Sequence, residues 1–321
     1  MATEPSLIMR GSPQLRLGIN DQVGTVHPIS SNAELQLHYE HPTGKLYCGD
    51  SIVWMKGLEA ESVDLVFADP PYNAKKEKWD TFESDRHYVE WSRIWLKQAA
   101  RILKPNGTLY VCGYSELLAD VKVAANQFFN GCRWLIWHYK NKANLGSGWG
   151  RSHESIVHFR KGKDFTFNID DVRIPYGAHT LRYPIHPQAD TSNFGKNGDG
   201  RSSQHWVPNP GGAKPKDVMD IPTTCNGMGE KTPHPTQKPE ELLRRLVLAS
   251  SNPGDILADP FSGSGTSLVV AEQLGRRWLG CDLSRKYNEW AIDRLQNVAR
   301  RTVTEWIKFD AETAQRRESI R

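Results

Sequence analysis

The feature that most constrains the fold of this chain is an alternation of short apolar runs with helical stretches, which begins near residue 45. Residues 63–68 form an apolar, β-branched run that stops at consecutive prolines, and residues 88–103 repeat apolar side chains at helical spacing. Further strand signals occur at residues 108–112, 134–139, 155–159, 255–259 and 278–281. This alternation predicts an α/β fold with a mostly parallel sheet, to which residues 155–159 add an antiparallel return strand.

The ends of the sequence and its apolar runs limit where the protein acts. Residues 1–37 mix Pro, Gly, Ser and Asn without a sustained period, which favours a poorly ordered N-terminal arm. No apolar run approaches the roughly 20 residues of a membrane span, and residues 1–20 lack the apolar block of a secretion signal. We therefore expect a cytoplasmic protein with no membrane partner. Scattered cysteines and histidines without ligand spacing predict no metal site.

An irregular basic segment interrupts the alternation. Residues 173–231 are rich in Pro, Gly, Asn, Ser and His, and no helix or strand period persists there. Residues 140–231 contain 13 Lys and Arg against 9 Asp and Glu, so their excess of 13 − 9 = +4 equals the net charge of the whole chain. Long irregular segments inside a folded chain are usually functional. This segment is a candidate for contact with a polyanion.

The strand signal at residues 255–259 runs into a glycine-rich turn, and the segment reads Asp259-Pro260-Phe261-Ser262-Gly263-Ser264-Gly265-Thr266. Glycines in a turn between a strand and a helix let the backbone approach a ligand, and the exposed N–H groups favour a carboxylate or other anion. Asp282 ends the next strand, where a carboxylate accepts hydrogen bonds from a ribose. The pattern indicates a nucleoside cofactor. The dinucleotide-binding fingerprint does not match, because its third glycine would fall on Leu268, and the P-loop motif does not match either. The alternative is a turn with a purely structural role.

A second candidate site follows the strand signal at residues 63–68, where open α/β sheets bind their ligands. The segment reads Asp69-Pro70-Pro71-Tyr72. Prolines lack N–H donors, so the Asp69 carboxylate and the Pro70 carbonyl both present acceptors, to which an amino group is complementary. Tyr72 offers a flat face for stacking on a planar base. A simple turn that ends a strand is the alternative.

Together, these two segments resemble motifs of the DNA amino-methyltransferase family, which methylates adenine N6 or cytosine N4. A third segment, His234-Pro235-Thr236-Gln237-Lys238-Pro239, resembles the family motif beside the methionine end of the cofactor. The catalytic motif precedes the cofactor motif, with the irregular segment between them, as in the beta group of the family. The resemblance implies a Rossmann-like methyltransferase sheet of about seven strands, circularly permuted, with an irregular target-recognition insertion.

The resemblance also implies an organisation of the chain: an N-terminal arm (1–37), a catalytic half (38–164), a target-recognition region (165–232), a cofactor-binding half (233–300) and a C-terminal tail (301–321). The expected catalytic residues are Asp69, Pro70, Pro71 and Tyr72. The expected cofactor-binding residues are Asp50, Lys238, Asp259, Pro260, Phe261, Gly263, Ser264, Gly265, Thr266 and Asp282. The candidates for DNA recognition are Tyr139, Arg173, Arg182, Lys196 and Arg201.

The implied function is transfer of a methyl group from S-adenosyl-L-methionine to adenine N6, on a base flipped out of double-stranded DNA. Methylation of cytosine N4 is the nearest alternative, although the cytosine enzymes more often have Ser in place of Asp69. A nucleotide-dependent oxidoreductase, an inactive DNA-binding module and a protein-glutamine methyltransferase are more distant alternatives. We expect the protein to associate with the nucleoid through DNA. The sequence leaves open whether a cognate restriction endonuclease is a partner and whether the protein forms a homodimer.

Overall fold

A computed structural model describes residues 34–75, 77–139, 147–184, 186–187, 205–225, 228–299 and 301–319. The strands are β1 (Gln36–His41), β2 (Gly44–Cys48), β3 (Val63–Ala68), β4 (Leu103–Gly113), β5 (Gly131–His138), β6 (His153–Arg160), β7 (His186–Pro187), β8 (His205–Trp206), β9 (Val218–Asp220), β10 (Ile256–Asp259) and β11 (Arg277–Asp282). The helices are α1 (Ser51–Gly57), α2 (Asp85–Ile102), α3 (Ser115–Ala125), α4 (Ala178–Arg182), α5 (Glu240–Ser250), α6 (Thr266–Gln273), α7 (Arg285–Gln296) and α8 (Val303–Ser319).

Nine strands form one sheet in the order β1-β2-β11-β10-β3-β4-β6-β5-β9, and β7 pairs with β8 separately. The strands from β2 to β4 in this order run parallel, whereas β6 is antiparallel to both β4 and β5. The expected α/β sheet and the antiparallel return strand are confirmed. The expected count of about seven strands is too low, because β1 and β9 extend the two edges.

The central strands alternate their side chains between two apolar layers. Leu65 and Phe67 of β3 face the layer that contains α5, α6 and α7, whereas Val66 and Ala68 face the layer of α1, α2 and α3. This period of two is the geometry of a strand that is buried on both faces. Helices therefore cover both sides of the sheet. Within the described ranges, no helix is long and apolar enough to cross a bilayer.

Residues 104–107, which separate the helical stretch from the next predicted strand, form a bulge inside β4 rather than a gap between α2 and the strand. Val63 pairs with Leu103, and Leu65 pairs with Thr108, so four residues of β4 lie opposite Asp64. Lys104 then donates to both carboxylate oxygens of Asp64, at 2.7 and 2.8 Å. The Pro-Asn-Gly sequence is accommodated without interrupting the strand pairing on either side.

Two parts of the predicted organisation, the C-terminal tail and the recognition region, take a form that the sequence did not predict. The expected C-terminal tail is largely helix α8, which is held to α5 by the buried pair of Arg244 and Asp310 at 2.7 Å and by the buried ring of Trp306. The expected recognition region, 165–232, contains β9, which pairs in parallel with β5, and a bridge between Ile174 and Ala213. Part of this region is therefore joined to the main sheet.

Candidate active site

Two motifs meet because their strands are neighbours. Strands β3 and β10 are parallel and adjacent, so the residues that follow them emerge at the same edge of the sheet. We call residues 69–72, after β3, the Asp69 turn, and residues 259–266, at the end of β10, the glycine turn. Carboxyl ends of central parallel strands are the usual place for ligands in such sheets. The structure thus brings together the two segments that the sequence singled out.

A cavity of about 500 Å³ lies between these turns. Its walls include both turns, the segment 234–238 and the aromatic rings of Trp79, Trp91 and Trp137. Its size is in the range of small-molecule and cofactor sites, which combine apolar walls with a few polar groups. Of the expected site residues, the walls include Asp69, Pro70, Pro71, Tyr72, Lys238, Asp259, Pro260, Phe261, Gly263, Ser264, Thr266 and Asp282.

The Asp69 carboxylate accepts a hydrogen bond on each oxygen. The hydroxyl of Tyr72 donates to Oδ1 at 2.6 Å, and the ammonium of Lys238 donates to Oδ2 at 2.6 Å. The side chain of Lys238 is only 5% exposed, so its charge is held inside the protein. Lys238 was expected beside the cofactor, but the structure directs its charge to Asp69.

Glu154 of β6 completes the cluster, and sequence reasoning missed its role. Its Oε2 atom lies 3.2 Å from the hydroxyl of Tyr72 and 3.3 Å from the ammonium of Lys238. The buried cluster thus contains two carboxylates and one ammonium. A signal for Glu154 was present, because it is an acidic residue directly before the strand predicted at residues 155–159, and buried charges without a partner are costly.

The electrostatics of the cluster maintain its donors in their protonated forms. Burial by itself would lower the pKa of Lys238, but the Asp69 and Glu154 carboxylates outweigh burial and hold that pKa above its usual value. Burial, followed by the same two carboxylates, raises the pKa of Tyr72 well above its usual value. At neutral pH, Lys238 is therefore a cation and Tyr72 is a neutral donor.

The glycine turn requires glycine at two positions. Gly263 has φ +50°, and a Cβ there would lie 3.0 Å from Nε2 of His234. Gly265 precedes α6 with φ +74°, and a Cβ there would lie 2.6 Å from Cβ of Ala291. Both φ values lie in the left-handed region that glycine adopts readily. The close contacts show that the turn packs against α7 and the segment 234–238.

Asp282 and Asp259 stabilise the glycine turn through backbone N–H groups. Asp282 accepts from the backbone of Gly263 and of Ser284, both at 2.8 Å, and Asp259 accepts from Phe261 N at 2.9 Å and from the Ser267 hydroxyl. Burial, opposed by these hydrogen bonds, raises the pKa of Asp282 to about 6 and that of Asp259 to about 7. Both carboxyl groups can therefore change protonation near neutral pH.

Arg294 of α7 supports the same turn from outside, a contact that the sequence did not reveal. Its guanidinium donates to the Ser264 carbonyl and to the Thr266 hydroxyl, each at 2.9 Å, and to Glu240 at 2.8 Å. Near these contacts, the hydroxyl of Ser262 is buried at the cavity wall with no hydrogen-bond partner among the described residues. A ligand in the cavity could supply that partner.

The remaining cofactor candidates have structural contacts. Asp50 caps helix α1, because its carboxylate accepts from the backbone of Ile52 and of Val53 at 2.9 Å; its neighbours Gly49 and Ser51, rather than Asp50, line the cavity. Pro260 is buried, and the ring of Phe261 packs 5.4 Å from that of Trp95.

Three of the five DNA-recognition candidates lie among the described residues. Tyr139 is 2% exposed and packs 5.1 Å from Trp137. Arg173 pairs with Asp170 at 2.7 Å and donates to the Gly212 carbonyl, whereas Arg182 is exposed at the end of α4. Lys196 and Arg201 lie outside the described residues.

Comparison with known proteins relates this chain to DNA methyltransferases by sequence. Residues 63–293 match the N6_N4_Mtase family, described as DNA methylase. The chain is 35% identical over 260 residues to the type II methyltransferase M.HpaI of Haemophilus parainfluenzae, covering 79% of this chain and 74% of that protein. It is 31% identical over 264 residues to the DNA adenine methyltransferase YhdJ of Escherichia coli K12, covering 81% of this chain and 85% of that protein.

Solved structures agree in fold. The PvuII cytosine-N4-specific DNA methyltransferase superposes with a TM-score of 0.60 at 18% identity, over 86% of this chain and 94% of that chain. TTHA0409 of Thermus thermophilus, solved in complex with S-adenosyl-L-methionine, gives a TM-score of 0.53 at 22% identity, over 78% of this chain and 93% of that chain. The extent of the family match and the sequence identities establish that this chain belongs to the N6_N4_Mtase family of DNA methylases.

Proposed function

We propose that this protein transfers a methyl group from S-adenosyl-L-methionine to the N6 amino group of adenine within a specific sequence of double-stranded DNA. The observation that carries the proposal is the Asp69 carboxylate at the cavity wall, next to a proline carbonyl. Both groups are acceptors, and an exocyclic amine offers two N–H donors to them. The relative YhdJ, which is named an adenine methyltransferase, supports adenine as the base.

The cavity suits the cofactor on two grounds. Gly263 lines the cavity with a positive φ, so the backbone there can approach a ligand, and the buried Ser262 hydroxyl lacks a partner among the described residues. We assign the methionine end to the glycine turn and the ribose hydroxyls to Asp282. The cofactor supplies a sulfonium methyl group when it is bound. TTHA0409, with the same fold, binds this molecule.

In the proposed reaction, the target base is flipped into the cavity, because its amino group is otherwise paired and stacked. Asp69 and the Pro70 carbonyl accept the two N–H groups and direct the nitrogen lone pair at the methyl group. Holding the reacting atoms in line supplies much of the rate enhancement. Pro71 stiffens the turn, and the ring of Tyr72 offers a surface for the base.

The irregular region, 165–232, is assigned to reading the DNA sequence. Arg182 is exposed there, and the region contains seven Lys and Arg, matched by seven Asp and Glu, and its cations can contact phosphates or base edges. Because M.HpaI is a type II methyltransferase, we include a cognate restriction endonuclease as a functional partner. We also assign the catalytic half to residues 38–164 and the cofactor half to residues 233–300, with the permuted motif order of the beta group.

The test is methylation-sensitive sequencing of DNA from a methylation-deficient host that expresses this chain, with Asp69→Ala as the matched control. We expect N6-methyladenine at one short sequence with the intact protein and none with the control. N4-methylcytosine at one sequence would show that the protein methylates cytosine instead of adenine, which is the reaction named for the PvuII enzyme of the same fold. Unmodified DNA from well-expressed, folded protein would contradict the proposal.

A further inference from the structure

Both oxygens of the Asp69 carboxylate accept a hydrogen bond from within the protein. The Tyr72 hydroxyl and the Lys238 ammonium each donate to one of its oxygens at 2.6 Å. A carboxylate has additional lone pairs, but each short bond to a strong donor weakens its capacity to accept another. A target amino group must therefore compete with Tyr72 and Lys238 for the same acceptor.

Glu154 lies where it can resolve this competition. One atom, Oε2, is 3.2 Å from the Tyr72 hydroxyl and 3.3 Å from the Lys238 ammonium, so it is the second acceptor for both donors. Both distances exceed the 2.6 Å contacts that the same donors make with Asp69. The two carboxylates thus share two donors, and the shorter bonds go to Asp69.

Burial makes the second acceptor necessary. The side chains of Glu154 and Lys238 are 9% and 5% exposed, so solvent offers little replacement for a broken hydrogen bond. If Tyr72 left Asp69 without another acceptor, its buried hydroxyl would be unsatisfied, which is costly. With Glu154 present, the hydroxyl can turn from one carboxylate to the other and remain bonded.

We propose that Glu154 is a positioning residue. When a target amino group binds Asp69, Glu154 accepts the hydrogen bond from the Tyr72 hydroxyl and a stronger hydrogen bond from the Lys238 ammonium. The exchange frees Oδ1 of Asp69 for the substrate while each donor keeps a partner. The inference rests on the proposed role of Asp69 and holds for either base, because adenine and cytosine both present an exocyclic amine.

A simpler role for Glu154 is to neutralise Lys238 and stabilise the fold. The two roles differ in their dependence on the Tyr72 hydroxyl. In Tyr72→Phe protein, Oδ1 of Asp69 has no phenol to release, so the exchange is unnecessary. The stabilising role would be unchanged, because Lys238 would still be present. A double-mutant cycle between Glu154 and Tyr72 therefore separates them.

The cycle is measured as single-turnover transfer of tritiated methyl groups from S-adenosyl-L-methionine to unmethylated host genomic DNA. We expect Glu154→Ala to slow transfer about 10- to 100-fold, the effect of leaving one buried hydroxyl unsatisfied. The same substitution in Tyr72→Phe protein should slow transfer less than about threefold, a small change on the free-energy scale of such cycles. Glu154→Gln keeps one acceptor oxygen and should be intermediate.

Controls separate the inference from folding and from the proposed function. Glu90→Gln, which removes a charge from the ion pair with Arg93 on α2, should leave the rate unchanged. Melting temperature and cofactor affinity are measured for every variant, and if Glu154→Ala does not fold, the cycle is run with Glu154→Gln. An equal loss of rate in both Tyr72 backgrounds overturns the inference. Wild-type protein that transfers no methyl group to DNA overturns the proposed function, and the inference with it.

Discussion

The Asp69 turn and the glycine turn lie side by side at the edge of one sheet, but they are stabilised differently. Lys238, which binds Asp69, is 169 residues away in the sequence, and Glu154, which contacts Tyr72, is 82 residues away. In the glycine turn, Asp259 binds Ser267, which is 8 residues away, and Gly263 binds Asp282, which is 19 residues away. The Asp69 turn depends on buried charges from distant elements, whereas the glycine turn depends mainly on its backbone geometry and on carboxylates nearer in sequence, with Arg294 of α7 as a further support.

This difference predicts different responses to mutation. In the Asp69 turn, removal of one side chain leaves other charged groups buried without their partners, and the chemistry should suffer most. In the glycine turn, the addition of one methyl group should disturb both the fold and the cofactor site, because the backbone itself forms the site.

The largest effect is expected for Asp69→Ala. The change removes the carboxylate that is proposed to orient the amine, and the rate of methyl transfer should fall about 100- to 1000-fold, as for the loss of one preorganised group in an active site. Single-turnover kinetics measure the rate. Cofactor affinity, measured by calorimetry, should stay within about twofold, because the glycine turn is built independently.

A conservative variant makes this prediction stricter. Asp69→Asn keeps one acceptor oxygen but loses the charge that pairs with Lys238. We expect it to retain more activity than Asp69→Ala. If both variants lose cofactor binding together with activity, the two turns are not independent, and the contrast between them fails.

The next effect concerns Gly265→Ala. The new Cβ would lie 2.6 Å from Cβ of Ala291, at φ +74°. Strain and overpacking should lower the free energy of unfolding by about 1 to 3 kcal/mol and weaken cofactor binding. Urea unfolding and calorimetry measure the two quantities.

Gly254→Ala is the matched control for this variant. Gly254 also has a positive φ, +86°, but a Cβ there would meet nothing within 4 Å among the described atoms. It should therefore show the cost of backbone strain alone, with cofactor affinity unchanged. Equal effects on cofactor affinity at both glycines would show that the contact with α7 does not shape the cofactor site.

A smaller effect is expected for Asp282→Ala. If Asp282 binds the ribose hydroxyls, cofactor affinity should fall by about 1 to 3 kcal/mol, the cost of losing a hydrogen bond to a charged group. At saturating cofactor, methyl transfer should remain, in contrast to Asp69→Ala. Unchanged affinity in a folded variant would remove Asp282 from the cofactor site and leave it only its contacts with Gly263 and Ser284.

The smallest effect is a dependence of stability on pH. The folded protein raises the pKa of Asp259 from 3.8 to about 7, so its contribution to stability is complete below 3.8 and is lost as the pH rises through about 7. Between about pH 5 and pH 7.5, the stability of wild-type protein relative to Asp259→Asn should fall by about 1 to 2 kcal/mol. Urea unfolding without cofactor measures this difference, and a pH-independent difference would contradict it.

Much of the fold was predictable because its signals are local. The apolar run of β3, the helical spacing of α2 and the strand–turn–helix sequence around Gly265 each depend on neighbouring residues. The edge strand β9 was not predicted, because three residues carry too little periodicity, and its pairing with β5 decides its conformation. Helix α8 was also missed, since its place depends on the contact of Asp310 with Arg244.

By itself, the sequence determined the two turns and their positions at the ends of strands, because proline and glycine constrain the backbone at the positions where they occur. The pairing of β3 with β10, which places the two turns side by side, was decided by the tertiary structure. Only the tertiary structure decided that Lys238 and Glu154 share the donors and acceptors around Asp69. Their side chains come from a loop and a strand that are distant in sequence. The burial that makes their charges interact strongly exists only after the sheet has assembled.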